Sequence, residues 1–549
     1  MRAEVSDIPL KSFVTMQIPK QLWQASPILL SLLGGILMGL TPSPVEAWSL
    51  AWIALVPLWF LVVTRQSLRQ TALYGFCWGI GYQGLALFWI TGVHPMDWMG
   101  VPWLASLAIA LFCWVFITLW GTILVVLWAV GMTAFNSLLN RQGAKFRTVT
   151  RVLVGIALWC GLEAFWTLGD LNWTSLAYTQ SPHNLLILHL GQISGPFTVT
   201  AAVVAVNGLI AEAGISYFSN QNKRVTGSNA KQKFILALGL LIGFHLIGLG
   251  LYSRPLIQPT QAAFKVGIIQ GNIPNTIKLY QDGLSRAIEN YTNGYKALAD
   301  EGVEAVLTPE TALPFIWDEQ VNQFRSPVPF YQYKLDRFKE AILDKGVLLW
   351  LGAFGEKGDS LTNSLFTITG TGETISRYNK VILVPLGEYI PFEELLGSLI
   401  DRLSPLDAHL AAGQPNQQFD TPFGRAIAGI CYESAFAYHF RHQAARGGEF
   451  ILSASNNAHY SETMPAQHHA QDVMRAIETD RWAVRATNTG YSGIVDPHGR
   501  TLWLSGINTY QIHAATVYRR QTQTLYVRWG NWLTPTLIGL AILAFIVSR

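Results

Sequence analysis

Long apolar runs recur through the first half of the chain and once more at its end, and they constrain the fold more than any other feature. A transmembrane helix needs about 20 predominantly apolar residues. The runs that approach this length are 26–41, 48–64, 72–93, 102–134, 151–167, 192–217, 233–252 and 530–547. Only 13% of the residues are charged, against roughly 25% in an average soluble domain. The sequence therefore predicts a membrane α-helical bundle with eight transmembrane helices.

Basic residues alternate between successive connections of these runs, and this alternation predicts an orientation. Lys or Arg occurs in the connections 64–71, 135–150 and 218–233. Neither residue occurs in the connections 42–47, 94–101 and 168–191. Because Lys and Arg are enriched in cytoplasmic loops, we expect both chain termini in the cytoplasm and residues 253–529 outside it.

The segment between the seventh and eighth runs resembles a water-soluble domain in its pattern. Short runs rich in β-branched residues predict strands at 264–269, 305–307, 347–352, 364–369, 427–430 and 450–453. Amphipathic stretches predict helices at 285–299, 331–343, 435–445 and 466–482. Strands that alternate with helices indicate an α/β fold. We therefore expect a membrane domain over 1–252, an extracytoplasmic α/β domain over 253–525 and a last transmembrane helix within 526–549.

Charge and cysteine content exclude several classes of function. A net charge of +4 provides no concentrated basic face, which nucleic-acid binding requires. The four cysteines are Cys77, Cys113, Cys160 and Cys431, and no CxxC or His-rich spacing indicates a metal site. The first three lie in apolar runs, where a cysteine is usually a small buried hydrophobe. We expect neither a metal nor another cofactor.

Three residues of the outer segment have side chains suited to covalent catalysis: Glu310 after a predicted strand, Lys380, and Cys431 at the end of a predicted strand. A cysteine at a strand-to-helix turn can point its sulfur into a cleft, where helix amides would stabilise a thiolate and an oxyanion. A carboxylate whose pKa is raised by burial can take the thiol proton. An ammonium group can stabilise a tetrahedral oxyanion. Taken singly, each residue is more often structural.

The sequences that flank these three residues carry more information than the residues themselves. The contexts Thr308–Ala312, Tyr378–Val381 and Ala428–Ser434 resemble the Glu-Lys-Cys triad of the nitrilase (carbon-nitrogen hydrolase) superfamily. Further matching pieces are Gln270–Pro274, Ala454–Asn457, Arg485–Gly490 and Asp496–Gly499, so that the resemblance covers residues 262–520. It implies an αββα sandwich in which Cys431 is the nucleophile, Glu310 the general base and Lys380 the oxyanion-stabilising residue.

The position of this segment between membrane spans, together with Pro385–Phe392, resembles one family of the superfamily, the apolipoprotein N-acyltransferases. The resemblance implies that an acyl chain moves from a phospholipid, typically phosphatidylethanolamine, to the cysteine as a thioester. It then implies transfer to the N-terminal amino group of S-diacylglyceryl-cysteine in an apolipoprotein. Both substrates would be anchored in the outer leaflet of the bacterial cytoplasmic (inner) membrane, and the active site would face the periplasm.

The same resemblance implies three supporting residues. Glu388 matches a position that we expect to orient Lys380 or to share its charge. Glu433 matches a position important in the family, and Tyr432 matches one whose backbone amide could help to form the oxyanion hole. For Glu388 and Glu433, a salt bridge that shapes a loop is the alternative interpretation, because ion-pair networks also gather at such sites.

Four positions depart from the pattern of that family. Leu279 and Asn172 stand where Trp and Pro are usual. Asn457 and His459 belong to a segment that usually reads Asn-Asp-Ala-Trp-Phe. These segments are expected to contact lipid or to gate the site, so the departures bear on the preferred headgroup or acyl chain more than on the reaction.

Two other functions are compatible with parts of the sequence. A membrane-tethered nitrilase-type amidase acting on a small amide would keep the three residues but would need fewer spans. A transporter or scaffold would need ionisable residues within its spans, of which Glu163 is a single example near a span end.

Overall fold

The computed structural model describes residues 27–65, 67–141, 146–223, 228–385, 387–389, 410–458 and 460–548. Its longer helices are α1 (Pro27–Gly39), α2 (Val56–Thr64), α3 (Leu68–Ala86), α4 (Trp103–Arg141), α5 (Arg147–Trp166), α6 (Pro196–Lys223), α7 (Ser228–Tyr252), α8 (Gln281–Asp300), α9 (Pro329–Lys345), α10 (Ala437–Ala445), α11 (Thr463–Thr479) and α12 (Leu533–Val547). Helices α1–α7 and α12 lie at the eight apolar runs of the sequence.

Four of the helices in the described part of the chain are long and apolar enough to cross a membrane by length and composition. They cover Trp103–Asn140, Arg147–Trp166, Pro196–Ser219 and Asn229–Tyr252. Three of the other predicted spans are shorter apolar helical segments, at Pro27–Gly39, Trp48–Thr64 and Leu533–Val547. Helix α3 is 19 residues long but contains Arg69, Gln70 and Gln83. The protein is thus a membrane protein, and four such helices lie among its described residues.

Small residues allow helices of the first half of the chain to approach one another closely. A methyl group at Gly35 in α1 would lie 2.0 Å from the backbone carbonyl oxygen of Trp78 in α3. One at Gly81 in α3 would lie 2.8 Å from the carbonyl oxygen of Leu32. Close backbone approach through glycine is the usual way for helices to associate in lipid, where water does not drive apolar surfaces together.

The segment between α7 and α12 forms two β-sheets. The strands are β1 (Ala263–Gln270), β2 (Ala305–Leu307), β3 (Leu313–Asp318), β4 (Gln323–Arg325), β5 (Leu348–Lys357), β6 (Ser360–Ile368), β7 (Thr374–Asn379), β8 (Phe419–Thr421), β9 (Gly424–Ile430), β10 (Phe450–Ser455), β11 (Ala483–Thr487), β12 (Gly493–Val495), β13 (Thr501–Leu504) and β14 (Gln511–Tyr518). One sheet has the order β14-β1-β2-β5-β3-β4, with β6 paired to β5 and β7 paired to β6, and the other has the order β13-β12-β11-β10-β9-β8. All six predicted strands and all four predicted helices of this segment are present.

The two sheets pack face to face with helices outside them, which is the αββα arrangement that the resemblance implied. Between the sheets lie Val266, Leu307, Ile430 and Leu452. Helices α8 and α9 cover the first sheet through a second core. The inner strands of each sheet run parallel, so the loops that follow β2, β9 and β10 carry Glu310, Cys431 and Asn456 at strand ends.

Helix α11 lies between the second sheet and the membrane helices. Its apolar residues Val473, Met474 and Ile477 belong to the same core as residues of α2, α5 and α6. Fifteen of its 17 residues are buried, including charged ones, because neighbours cover it on several sides. This helix therefore connects the α/β domain to the membrane bundle.

Candidate active site

Cys431 follows β9 directly and adopts a left-handed backbone conformation, with φ of 53°. Residues other than glycine rarely adopt this conformation, and such strain gathers at active sites when the surroundings enforce it. Here His468 in α11 enforces it, since its Nε2 lies 2.7 Å from the carbonyl oxygen of Cys431. The other ring nitrogen, Nδ1, lies 2.7 Å from an Arg485 nitrogen. Because a guanidinium group can only donate, Nδ1 accepts and the Nε2 hydrogen is donated to Cys431.

Glu310 and Lys380 form a buried ion pair with Glu388. The Lys380 Nζ lies 3.0 Å from Glu310 Oε1 and 2.8 Å from Glu388 Oε2. Asn363 Nδ2 donates to both carboxylates, over 2.7 Å to Glu310 and 3.0 Å to Glu388. The backbone N–H of Asn456 donates to Glu310 Oε2 over 2.9 Å. Glu388 thus contacts the Lys380 ammonium group directly, and the expectation that it orients Lys380 or shares its charge stays a prediction.

The charges of this pocket set the protonation states at rest. Burial acts to raise the pKa of Glu310, but the ammonium groups of Lys380 and Lys278 and the hydrogen bonds from Lys380 and Asn363 hold it below its ordinary value. Burial also acts to lower the pKa of Lys380, yet Glu310, Glu388 and Cys431 raise it well above its ordinary value. Glu310 is therefore a carboxylate and Lys380 an ammonium ion near neutral pH.

Cys431 is a neutral thiol in this environment. Burial raises its pKa to about 12, with Glu310 and Glu388 adding to the effect and Lys380 and the Asn456 backbone opposing it. Two sequence-based expectations are thus wrong for the resting site, namely a base with a raised pKa and a thiolate stabilised by a following helix. At Glu310, the two lysines lower the pKa by more than burial raises it. At Cys431, burial raises the pKa by more than the single turn that follows, Cys431–Ala435, can lower it. The proton must leave the thiol as sulfur attacks.

Glu433 connects the loop after Lys380 to the end of β9. Its Oε1 accepts from the backbone N–H groups of Val381 and Ile382, over 2.7 and 3.1 Å. Its Oε2 accepts from the backbone N–H of Ile430 over 2.7 Å and from the hydroxyl of Tyr378 over 2.8 Å. This geometry is close to the alternative interpretation, in which a salt bridge of Glu433 shapes a loop, except that most partners of Glu433 are backbone N–H groups. Glu433 fixes the spacing between the Lys380 and Cys431 backbones.

Tyr432 joins the site to the loop between α5 and α6. Its hydroxyl donates to the carbonyl oxygen of Asp170 over 2.6 Å and accepts from the N–H of Asn172 over 3.1 Å. Its ring stacks on Trp173 with an interplanar angle of 4°. Trp173 and Tyr178 are buried against the α/β domain, so these two aromatic residues hold the domains together.

Three of the four departures from the family pattern are among the described residues, and their surroundings differ. Leu279 is exposed, Asn172 is buried beside Tyr432, and the Nδ2 of buried Asn457 lies 3.3 Å from His468 Nδ1. His459 lies outside the described residues, as do Leu386 and residues 390–392 of the Pro385–Phe392 segment.

Sequence reasoning missed Asn363, Lys278 and His468. Asn363 lies within β6 between Thr362 and Ser364, and nothing in this short polar run indicated that it would contact two carboxylates. Lys278 Nζ donates to Thr311 Oγ1 over 2.8 Å, although the sequence shows only a lysine between Ile277 and Leu279. The one available signal was the polar content of α11, which is excessive for a helix that packs on a sheet.

Buried Glu, Lys and Cys side chains on a two-sheet sandwich define a nitrilase-type catalytic domain. Residues 265–525 match the family model of the carbon-nitrogen hydrolases. The solved amidase from Nesterenkonia sp. aligns with a TM-score of 0.35 and 18% identity over 49% of this chain and 95% of that one. Residues 34–209 match the apolipoprotein N-acyltransferase N-terminal domain.

Relatives that align over nearly the whole length identify the family. The apolipoprotein N-acyltransferase of Nostoc sp. is 58% identical over 92% of this chain and 97% of its own. That of Synechocystis sp. is 47% identical over 93% of this chain and 98% of its own. This chain belongs to the apolipoprotein N-acyltransferase family, and it is an acyltransferase rather than a membrane-tethered amidase.

Proposed function

We propose that this protein transfers an acyl chain from a phospholipid through a Cys431 thioester to the N-terminal amino group of an S-diacylglyceryl-cysteine apolipoprotein. The observation that carries the proposal is the buried cluster in which Lys380 bridges Glu310 and Glu388, and in which the charges of all three shift the pKa of the Cys431 thiol. Burial excludes water from the cluster. This exclusion is necessary because water would otherwise hydrolyse the thioester before it could acylate an amine.

In the first half-reaction, the sulfur of Cys431 attacks the ester carbonyl carbon of the phospholipid. The thiol proton passes to Glu310, whose carboxylate is ionised at rest and whose charge helps to raise the pKa of the thiol. Lys380 stabilises the oxyanion of the tetrahedral intermediate, and Glu388 keeps Lys380 charged and oriented. The bond from carbonyl carbon to glycerol oxygen then breaks, and Glu310 returns the proton to that oxygen, which releases a lysophospholipid.

In the second half-reaction, the amino group of the apolipoprotein attacks the thioester carbonyl. A carbon–nitrogen bond forms, a proton moves from nitrogen to Glu310, and the carbon–sulfur bond breaks. The departing sulfur recovers its proton from Glu310. The high pKa of Cys431 makes the free thiolate a poor resting state, so the proton returned by Glu310 closes the cycle.

The arrangement of the protein in the membrane is part of the same proposal. Eight spans, with domains at 1–252, 253–525 and 526–549, would put both termini in the cytoplasm and the α/β domain in the periplasm. Charge alternation between the loops supports this orientation. Phosphatidylethanolamine is the proposed donor, and Tyr432, Asn172 and Trp173 would lie where the pocket meets the outer leaflet. The contacts of Tyr432 with Asp170, Asn172 and Trp173, in the loop between α5 and α6, support this proposed location of the three residues.

The function is tested in bacterial cells that lack their own N-acyltransferase. Expression of the natural chain should yield lipoproteins whose N-terminal cysteine carries three acyl chains by mass spectrometry. Cells that express C431A should yield lipoproteins with a free amino terminus. The proposed function would be contradicted if lipoproteins remained diacylated in cells where the natural chain is inserted in the membrane and expressed at the same level as C431A. Triacylated lipoproteins with C431A would contradict the role of Cys431.

A further inference from the structure

Lys278 is a buried lysine that the Glu310–Lys380–Cys431 set does not explain. It ends the short helical turn Asn275–Lys278 and is 5% exposed, whereas Leu279 and Tyr280 next to it are 43% and 55% exposed. A lysine in such a turn ordinarily keeps its ammonium group in water. Here the group is turned inward, where a charge needs partners.

The partners of this ammonium group belong to the turn that carries Glu310. Lys278 Nζ donates to Thr311 Oγ1 over 2.8 Å and lies 3.4 Å from the backbone carbonyl oxygen of Glu310. Thr311 has a φ of 43°, in the left-handed region that β-branched residues avoid. Lys278 therefore holds a strained turn, and the direction of the Glu310 carboxylate depends on that turn.

Lys278 also changes the charge balance of the pocket. Without it, the carboxylates of Glu310 and Glu388 would face the single ammonium group of Lys380. Burial lowers the pKa of Lys278 to about 8, while Glu310 and Cys431 act in the opposite direction. Lys278 is thus mostly charged at neutral pH, and two cations then balance two anions around the neutral thiol.

We propose that Lys278 is a positioning residue and the second cation of the active site, which fixes the Glu310–Thr311 turn and balances negative charge while Cys431 is acylated. The inference rests on the proposed acyl transfer. As the thiol proton reaches Glu310, the negative charge moves to the carbonyl oxygen of the donor ester. Lys380 can then release Glu310 and turn to that oxygen, because Lys278 still holds the backbone at Glu310.

The test observes acylation of Cys431 alone, with full-length protein in detergent, phosphatidylethanolamine as the probe and no acceptor. The variants are K278M, which removes the charge, and K278R, which keeps a cation at every accessible pH. Lys345, which pairs with Asp300 at the surface of α9, provides the matched control K345M. For each protein, intact-mass spectrometry gives the acylation rate constant from pH 6 to 10, and a thermal scan gives the unfolding midpoint.

We expect K278M to acylate about 100-fold more slowly than the natural chain, which is the cost of a small misplacement of a catalytic group. K345M should match the natural chain. The rate of the natural chain should fall above about pH 8 as Lys278 loses its proton. In the described part of the chain, the charges that act on Lys278 are those of Glu310 and Cys431, and neither titrates near pH 8. K278R should recover most of the rate and should not show that fall.

Two outcomes would overturn the inference. One is a K278M protein that acylates like K345M. The other is a combination of two results. K278M acylates slowly only in proportion to its lower unfolding midpoint, and the acylation rate of K278R still decreases above pH 8. If K278M does not fold, the acylation rates of K278R and the natural chain above pH 8 still decide whether the charge of Lys278 supports the reaction. Failure of the natural chain itself to form a thioester would instead contradict the proposed function.

Discussion

Two groups of buried polar side chains, most of them charged, lie at the active site, and they use burial differently. The reactive cluster consists of Glu310, Lys380, Glu388 and Cys431. The bracing network consists of His468, Asp472, Arg475, Glu478 and Arg485. In the reactive cluster, carboxylates and an ammonium group shift the proton affinity of a thiol. In the bracing network, charged groups hold backbone and neighbouring elements in place.

The bracing network extends from the nucleophile to the membrane domain. Arg485 pairs with Asp472 over 2.5 Å, and Asp472 accepts from the hydroxyl of Ser434 over 2.8 Å. Arg475 donates to the carbonyl oxygen of Ser434 and to the hydroxyl of Tyr178, over 3.2 and 3.3 Å. The burial of a charged side chain therefore does not by itself indicate a catalytic role. The groups that do chemistry act on the thiol, whereas the others satisfy backbone carbonyls and one another.

The largest effect should come from E310Q in the reactive cluster. Lys380 keeps its contact with Glu388, so we expect the fold to persist, but the neutral amide cannot accept the thiol proton. Thioester formation should fall about 10³-fold, within the range for loss of a general base. Intact-mass spectrometry measures the thioester, and E340Q at the exposed surface of α9 is the control. An E310Q protein that acylates within tenfold of E340Q would show that Glu310 is not the base.

The next effect concerns the reactivity of the resting thiol. Because the pKa of Cys431 is about 12, its thiolate is scarce at pH 8. Alkylation by iodoacetamide should be at least about 100-fold slower than for an unfolded cysteine, and it should accelerate as pH rises towards 10. Peptide mapping after timed quenching measures the rate. Fast alkylation at pH 7, without further increase at higher pH, would mean that the thiol is already ionised at rest.

These two predictions also mark the limit of what the sequence could provide. The contexts of Glu310, Lys380 and Cys431 were sufficient to propose the triad. Runs rich in β-branched residues predicted the strands that precede Glu310 and Cys431, but not β7, which precedes Lys380. The protonation states were not accessible, because they depend on Lys278 and Asn363, which lie 32 and 53 positions from Glu310 and approach it only through the packed sheets. A single sequence does not reveal such contacts between distant residues.

In the bracing network, D472N should affect stability more than chemistry. It leaves the guanidinium group of buried Arg485 without its carboxylate, a loss of about 3 kcal/mol in a buried pair. For a domain of this size the unfolding midpoint should fall by about 6–12 °C. Thioester formation per folded molecule should stay within about threefold of the natural chain. A stable D472N protein that fails to acylate would place Asp472 in the reactive cluster and break the distinction.

The smallest effect should come from Y432F at the contact between domains. It removes the hydroxyl that bonds Asp170 and Asn172 but keeps the ring stacked on Trp173. Loss of such hydrogen bonds costs about 1 kcal/mol, so we expect acylation to slow by less than about tenfold. Rates with phosphatidylethanolamine in vesicles and in detergent measure it. A loss as large as that of E310Q would mean that Tyr432 takes part in the chemistry.

The acyl-enzyme itself tests the central claim most directly. The purified full-length protein is incubated with phosphatidylethanolamine that carries a labelled acyl chain, digested, and mapped by mass spectrometry before and after neutral hydroxylamine. The label should be on the peptide that contains Cys431, should leave with hydroxylamine, and should be absent from C431S. Label on another residue, or release of free fatty acid from active protein without any labelled Cys431, would contradict the mechanism.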